Sequence, residues 1–276
     1  MRRYERFVAI GDSTVEGLDD PDGHGGFHGW ADRIAQRLAN EQGSILYANL
    51  GIRGRTTREV RDEQLAPAIA MRPDLAIVVS GTNDLLRRRF DAVALRDDIE
   101  SMQWPLIEGG ATVLTFTLPD LSAVMPLARM LRSRLLAMND IIRNASAATG
   151  AIVCDFAAYP VAADPRLWSD DRLHANSAGH ARMAEALAYH AGIHDDRSWA
   201  KPLDGTPPHG FDVAVAAELR WWRVHLLPWI VRHAMGRSSG DGITAKRPEL
   251  APVLPSPTPA PPPDRDSRPN APATSG

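Results

Sequence analysis

Five short apolar runs, each closing on a small polar turn and separated by segments of helical periodicity, leave few folds open to this chain. The runs are Phe7 to Ile10, Ile45 to Leu50, Leu75 to Val79, Thr112 to Phe116 and Ala151 to Phe156. Their apolar residues are continuous rather than alternating, as in strands of a parallel sheet covered on both faces. Between them the spacing predicts helices from Trp30 to Gln42, from Thr57, from Asp91 to Ile107 and from Leu127 to Ala148, the last stopped by Gly150. A final helix is expected from Ala178 to Tyr189, with Ser177 as its cap. Right-handed crossovers put the C-terminal end of every strand on one side of the molecule, where α/β proteins bind their ligands.

The polar residues at those ends are chemically matched. The first run stops at Gly11-Asp12-Ser13, the second empties into Gly51-Ile52-Arg53-Gly54, and the third ends in Gly81-Thr82-Asn83-Asp84. Beyond the fifth comes Asp170-Asp171-Arg172-Leu173-His174. Ester hydrolysis needs an attacking hydroxyl, a base for its proton, a group that holds the base, and donors for the oxyanion. Ser13 supplies the hydroxyl and His174 the base, while Asp171 can fix the imidazole tautomer. The backbone amides of Ser13 and Gly54 and the side-chain amide of Asn83 supply the donors. Either Asp170 or Asp171 can reach the imidazole, and spacing favours Asp171. The serine is not in a GxSxG elbow, the usual α/β-hydrolase setting.

Taken together, these ordered blocks resemble the SGNH hydrolases, also called GDSL-type esterases and lipases. Gly11-Asp12-Ser13 is similar to the nucleophile block, Gly54 falls on the glycine of the second, Asn83 on the asparagine of GxND, and Asp171 and His174 on the last block, DxxH. Thr14 stands where the eponymous motif has leucine. The similarity covers about the first 190 residues. It implies a flavodoxin-like three-layer α/β/α sandwich with a five-stranded parallel sheet, no cofactor, and acyl transfer from an ester to water.

Composition narrows the partners. A net charge of -3 over 276 residues gives no basic field for neutralising phosphates, so no nucleic-acid partner is expected. The loop from Gly23 to Gly29 has no nucleotide-binding spacing. Its His24 and His28 lack a carboxylate or cysteine at ligand spacing, so no metal is assigned. Cys154, the single cysteine, reads as a core residue. The first apolar run is too short for a signal-peptide core and no run reaches transmembrane length, which gives a soluble, cytoplasmic expectation.

Residues 1-195 therefore read as the hydrolase domain. Residues 196-236 read as a linker and a helical extension, in which Val215, Leu219, Trp222, Leu226 and Trp229 recur at helical intervals. Residues 211-235 of it can contact a membrane surface, cover the site's mouth, self-associate or simply pack on the domain. Residues 237-276, rich in proline, read as a disordered tail. The expected substrate is a small or medium acyl ester, lipid-like esters included. A carbohydrate O-deacetylase and a non-catalytic membrane-surface or interaction module are the alternatives. Arg87-Arg88-Arg89 after the GxND block reads as solvated surface or as an attractor of anionic substrates.

Overall fold

The computed structural model describes residues 2-123, 128-205, 223 and 239-257. Five parallel strands form where the apolar runs predict them: β1 (Arg6–Gly11), β2 (Ile45–Asn49), β3 (Leu75–Val79), β4 (Thr112–Phe116) and β5 (Ile152–Cys154). The helices between them are α1 (Ser13–Glu16), α2 (Gly29–Gln42), α3 (Thr57–Ala70), α4 (Thr82–Leu85), α5 (Ala92–Glu108), α6 (Ala128–Thr149) and α7 (Ser177–His190). Helices α3, α5 and α6 pack on one another over one face of the sheet, and α2 and α7 over the other. The result is the expected three-layer sandwich. Its core runs through the sheet, with Phe7 stacked on Tyr47 at 5.0 Å and Trp30 edge-on to Phe116 at 5.9 Å.

Local chemistry sets the helix starts. Thr56 and Glu59 form a reciprocal capping box at the start of α3, satisfying two amides that the helix leaves unpaired. At α7 the cap is Asn176 rather than Ser177, and its side chain accepts from the amides of Ala178 and Gly179 at 3.0 and 3.1 Å. Ser177 is instead the first helical residue.

Among the described residues the sheet has six strands, not five. Arg247–Val253 forms β6, which pairs antiparallel with β2 and completes the order β5-β4-β3-β1-β2-β6. This segment lies within the stretch read from sequence as a disordered tail. Pro248 and Pro252 hide it from a pattern reading, yet an edge strand tolerates proline because one side of its backbone needs no partner. Beside it the Lys246 ammonium donates to the carbonyls of Phe27 and His28 at 3.0 and 2.7 Å and to Asp32 at 3.1 Å. Asp32 in turn accepts from the Tyr47 hydroxyl at 2.7 Å, so the late strand is tied to both α2 and β2. Residues 211-235, apart from Arg223, lie outside the described residues, as do residues 258-276. No described helix is long and apolar enough to cross a membrane.

Chain direction in the sheet creates the crevice for a site. From β1 the chain passes to β2 on one side, and β3 then lies on the other side of β1, so the first connections diverge between β1 and β3. Gly11 closes β1 there because nothing larger fits. A Cβ on it would lie 2.1 Å from the Val79 carbonyl oxygen and 2.4 Å from a Val15 methyl.

Replacing Lys246 by Ala removes the donor shared by two carbonyls and a half-buried carboxylate. We expect a loss of about 2 kcal/mol, read in a thermal melt of the full chain as a fall of about 4–8 °C. An unchanged melting temperature would show that β6 is not fastened as described.

Candidate active site

Ser13 is placed by the helix it begins. Asp12 caps α1, its Oδ1 accepting from the amide and hydroxyl of Thr14, both at 3.0 Å. With the backbone fixed by this cap and by the tight end of β1, Ser13 Oγ stands 2.8 Å from His174 Nε2. His174 arrives from the turn between Trp168 and Ala175, which pair as a short antiparallel bridge. Within that turn the Ser169 amide donates to the His174 carbonyl at 2.9 Å. The Asp171 Oδ1 accepts from the amides of Leu173 and His174 at 2.8 and 2.9 Å, leaving Oδ2 2.6 Å from His174 Nδ1. Asp171 thus holds the turn and the ring with one carboxylate. Asp170, the alternative partner, is exposed.

The remaining predicted residues converge on the same place. Asn83 lies in α4 at the end of β3, where its Nδ2 donates to the Arg55 carbonyl at 3.0 Å and faces Asp12 Oδ2 at 3.4 Å. Gly54 adopts φ 78°, a left-handed conformation natural to glycine. Its neighbours fasten it beside α1 and α4: the Arg53 amide donates to Glu16 at 2.9 Å, and Arg55 accepts from Asn83. Asp84, the acid of the third block, accepts from the Thr57 amide and hydroxyl, both at 2.9 Å, and so ties α4 to α3.

The electrostatics follow from burial and pairing. Burial by itself would lower His174, but the hydrogen bond and charge of Asp171, helped by the charges of Asp19 and Asp12, hold the imidazole above its ordinary value. Burial would raise Asp171, yet its bonds to His174 keep the carboxyl well below the usual range. Asp12 is the opposite case. Fully enclosed and without a cationic partner at contact, it is pushed up to about 6 by burial.

Four residues of the site were missed from sequence. In the sequence Asp12 reads only as part of a motif, Asp19 and Ser169 do not stand out, and His180 reads only as part of a helix. Ser169 Oγ lies 2.6 Å from both Asp171 Oδ1 and Asp19 Oδ2. His180, buried in α7, accepts from the Trp30 amide at 3.2 Å through Nδ1 and donates to the Leu18 carbonyl at 3.0 Å through Nε2. No local pattern marks Asp19, Ser169 or His180, because the contacts that join Asp19 to Ser169 and His180 to Trp30 span 150 positions. His24 is exposed in a loop organised by Asp22, and Cys154 is a buried thiol whose pKa burial pushes well up, in the direction of inertness. Arg89 projects into solvent.

Beside His174 opens a cavity of about 130 Å³. Leu18, Leu85, Phe116, Leu135, Phe156 and Leu167 are among the apolar side chains that line it, with Thr14 and His174 at its polar end.

A hydroxyl, an imidazole and a carboxylate joined in sequence at the divergence point of a doubly wound sheet can carry out nucleophilic acyl transfer. Comparison with known proteins agrees with that class. The model of the GDSL-like lipase/acylhydrolase family matches residues 9–182, and the chain belongs to this family; it is a carboxylic ester hydrolase. Among solved structures it is similar to LAE5, an alpha/beta hydrolase enzyme from the metagenome of Lake Arreo, Spain, with a TM-score of 0.59 and 18% identity over 71% of this chain and 99% of that one. It is also similar to TesA, with a TM-score of 0.56 and 22% identity over 68% and 99% of the two chains. A third is Axe2, an acetylxylan esterase from Geobacillus stearothermophilus, with a TM-score of 0.56 and 19% identity over 71% and 96%. At these identities the structural likeness speaks for the fold. No curated relative matches the chain.

His180 gives this region a signature in acid. Burial lowers its imidazole from 6.5 to about 4, so the folded state holds it neutral while the unfolded chain protonates it near 6.5. Its stabilising contribution is complete above about 6.5 and is lost as pH falls toward 4, on the order of 3 kcal/mol in all and about 2 kcal/mol by pH 5. Urea unfolding at pH 7 and pH 5 should therefore show a smaller acid loss in His180→Gln than in the wild type. Equal losses would remove His180 from this role.

Proposed function

We propose that the protein hydrolyses medium-chain acyl esters, with Ser13, His174 and Asp171 as a catalytic triad and Ser13, Gly54 and Asn83 as the oxyanion hole. Ser13 Oγ attacks the ester carbonyl as His174 Nε2 takes its proton. Asp171 keeps the second ring proton on Nδ1 and stabilises the imidazolium that forms. Negative charge on the carbonyl oxygen is received by the amides of Ser13 and Gly54 and by Asn83 Nδ2, whose contact to Asp12 at 3.4 Å is long enough to be exchanged for an oxyanion. Collapse expels the alcohol, which takes the proton from His174. A water molecule then repeats the sequence on the acyl-enzyme and releases the acid.

The apolar cavity beside His174 carries the substrate reading. At about 130 Å³ it has room for about ten water molecules' worth of ligand. A methylene occupies a volume comparable with that of water, so an acyl chain of about six to ten carbons suits it. Burying each methylene from water favours binding by about 0.8 kcal/mol, which an acetyl group cannot exploit. An acetyl-sugar substrate would leave most of the cavity unfilled.

Turnover of a p-nitrophenyl ester series from acetate to dodecanoate tests this. We expect kcat/KM to rise toward six to ten carbons and fall beyond. A maximum at acetate, with release of acetate from acetylated glycans, would identify an O-deacetylase instead. Ser13→Ala and His174→Ala should lose on the order of 10⁴-fold or more, and Asn83→Ala about 10²–10³-fold in kcat. Wild-type turnover by Ser13→Ala would sink the mechanism and leave a non-catalytic role. Because His174 must be neutral to act and its pKa is raised, kcat/KM should fall on acidification through a point above the ordinary histidine value of 6.5. A profile flat from pH 8 to pH 5 would exclude His174 as the base.

A further inference from the structure

The triad has an acidic neighbour that the hydrolytic mechanism does not call on. Asp19 follows α1 on the loop leading to α2, and it is partly buried. Its carboxylate, that of Asp171 and a ring nitrogen of His174 all lie within 4.8 Å of one another. Ser169 bridges the two carboxylates, its Oγ 2.6 Å from Asp19 Oδ2 and 2.6 Å from Asp171 Oδ1. A hydroxyl has one proton, so it donates to one carboxylate at a time and the two acids compete for it. Asp19 also holds φ 67°, a left-handed conformation that is rare outside glycine. Strain of this kind persists where the surroundings impose it, and here it turns a second negative group toward the imidazole.

We propose that Asp19, acting through Ser169, is a second acidic positioning residue of the triad, holding the Asp171–His174 pair in register and adding negative charge beside the imidazole. This rests on the reading of His174 as the base. Asp19 belongs to the loop after β1 and Asp171 to the turn before α7, two segments that no backbone hydrogen bond among the described residues joins at this point. The Ser169 bridge therefore spans the gap between the nucleophile's segment and the base's segment. Charged and titratable groups act on the imidazole from every side: Asp171 from its own turn, Asp19 from the loop after α1, Asp12 from the end of β1 and His180 from α7. Of these, Asp12 is occupied with the α1 cap and His180 with backbone groups. Asp19 is linked to the Asp171 carboxylate by a shared donor, Ser169 Oγ.

The sign of the effect separates this role from simple support of the fold. Removing the charge at position 19 makes the imidazolium less favourable, so the acid limb of kcat/KM should move to lower pH by about 0.5–1 unit in Asp19→Asn. Asp19→Gly should move it equally while the protein melts no lower than the wild type, since glycine adopts this φ without strain. Ser169→Ala takes a donor from Asp171 and concentrates its charge toward the ring, so that limb should move upward. In the two Asp19 variants kcat should fall about three- to tenfold with KM changed less than twofold, because the acid touches no substrate. An acid limb that stays at the wild-type pH in both Asp19 variants, or that moves the same way in Ser169→Ala, overturns the proposal. Those results, obtained with Ser13→Ala inactive, would leave the triad standing. Full activity in Ser13→Ala would instead remove the mechanism on which the proposal rests.

Discussion

A parallel strand with apolar side chains on both faces must be covered from above and below, and the rest of this molecule follows from meeting that demand. Crossovers to both faces require helices on each, and the order of strands places β1 between neighbours reached in opposite directions. The first connections diverge there and leave an uncovered crevice. Gly11 lets β1 end against Val79 with no intervening side chain, and α1 starts at once. The serine and its cap therefore share one crevice with the asparagine of α4, 71 positions beyond the cap in sequence.

Within the crevice the balance is between burial and charge. An imidazole this enclosed would ordinarily be driven neutral, and its carboxylate partner likewise, because removing either ion from water costs several kcal/mol. The Asp171–His174 contact reverses both tendencies, since each group stabilises the charged form of the other. His180, only one turn into the next helix, shows the unreversed outcome: it meets backbone groups rather than an acid and is held neutral. Two histidines six residues apart are thus shifted in opposite directions from the ordinary imidazole value. The difference lies wholly in what faces them.

Much of this was legible from local pattern. The five parallel strands, their intervening helices, and the turns bearing Ser13, Gly54, Asn83 and His174 all follow from apolar runs and from glycine and asparagine at their ends. Spacing favours Asp171 over Asp170, and the Asp171 Oδ1 bonds to two amides in the turn give that spacing a physical basis. What was misread has a common character. The strand Arg247–Val253 has two prolines and few large apolar residues, because an edge strand answers to the backbone of β2 rather than to a core. Asn176 outcompeted Ser177 as the cap through a backbone conformation that composition does not reveal.

By itself the sequence determined which residues could do chemistry and that they would lie along one side of a sheet, because strand direction and crossover hand are fixed by local sterics and chain chirality. Only the tertiary structure decided which of them touch. It set Ser13 Oγ against His174 Nε2 across 161 positions and brought Asp19 to Asp171 through Ser169. It also gathered leucines and phenylalanines from four separate connections into a cavity beside the base. Hydrogen bonds act over about 3 Å of space and take no account of separation along the chain, so such contacts leave no periodicity or spacing for a linear reading to find.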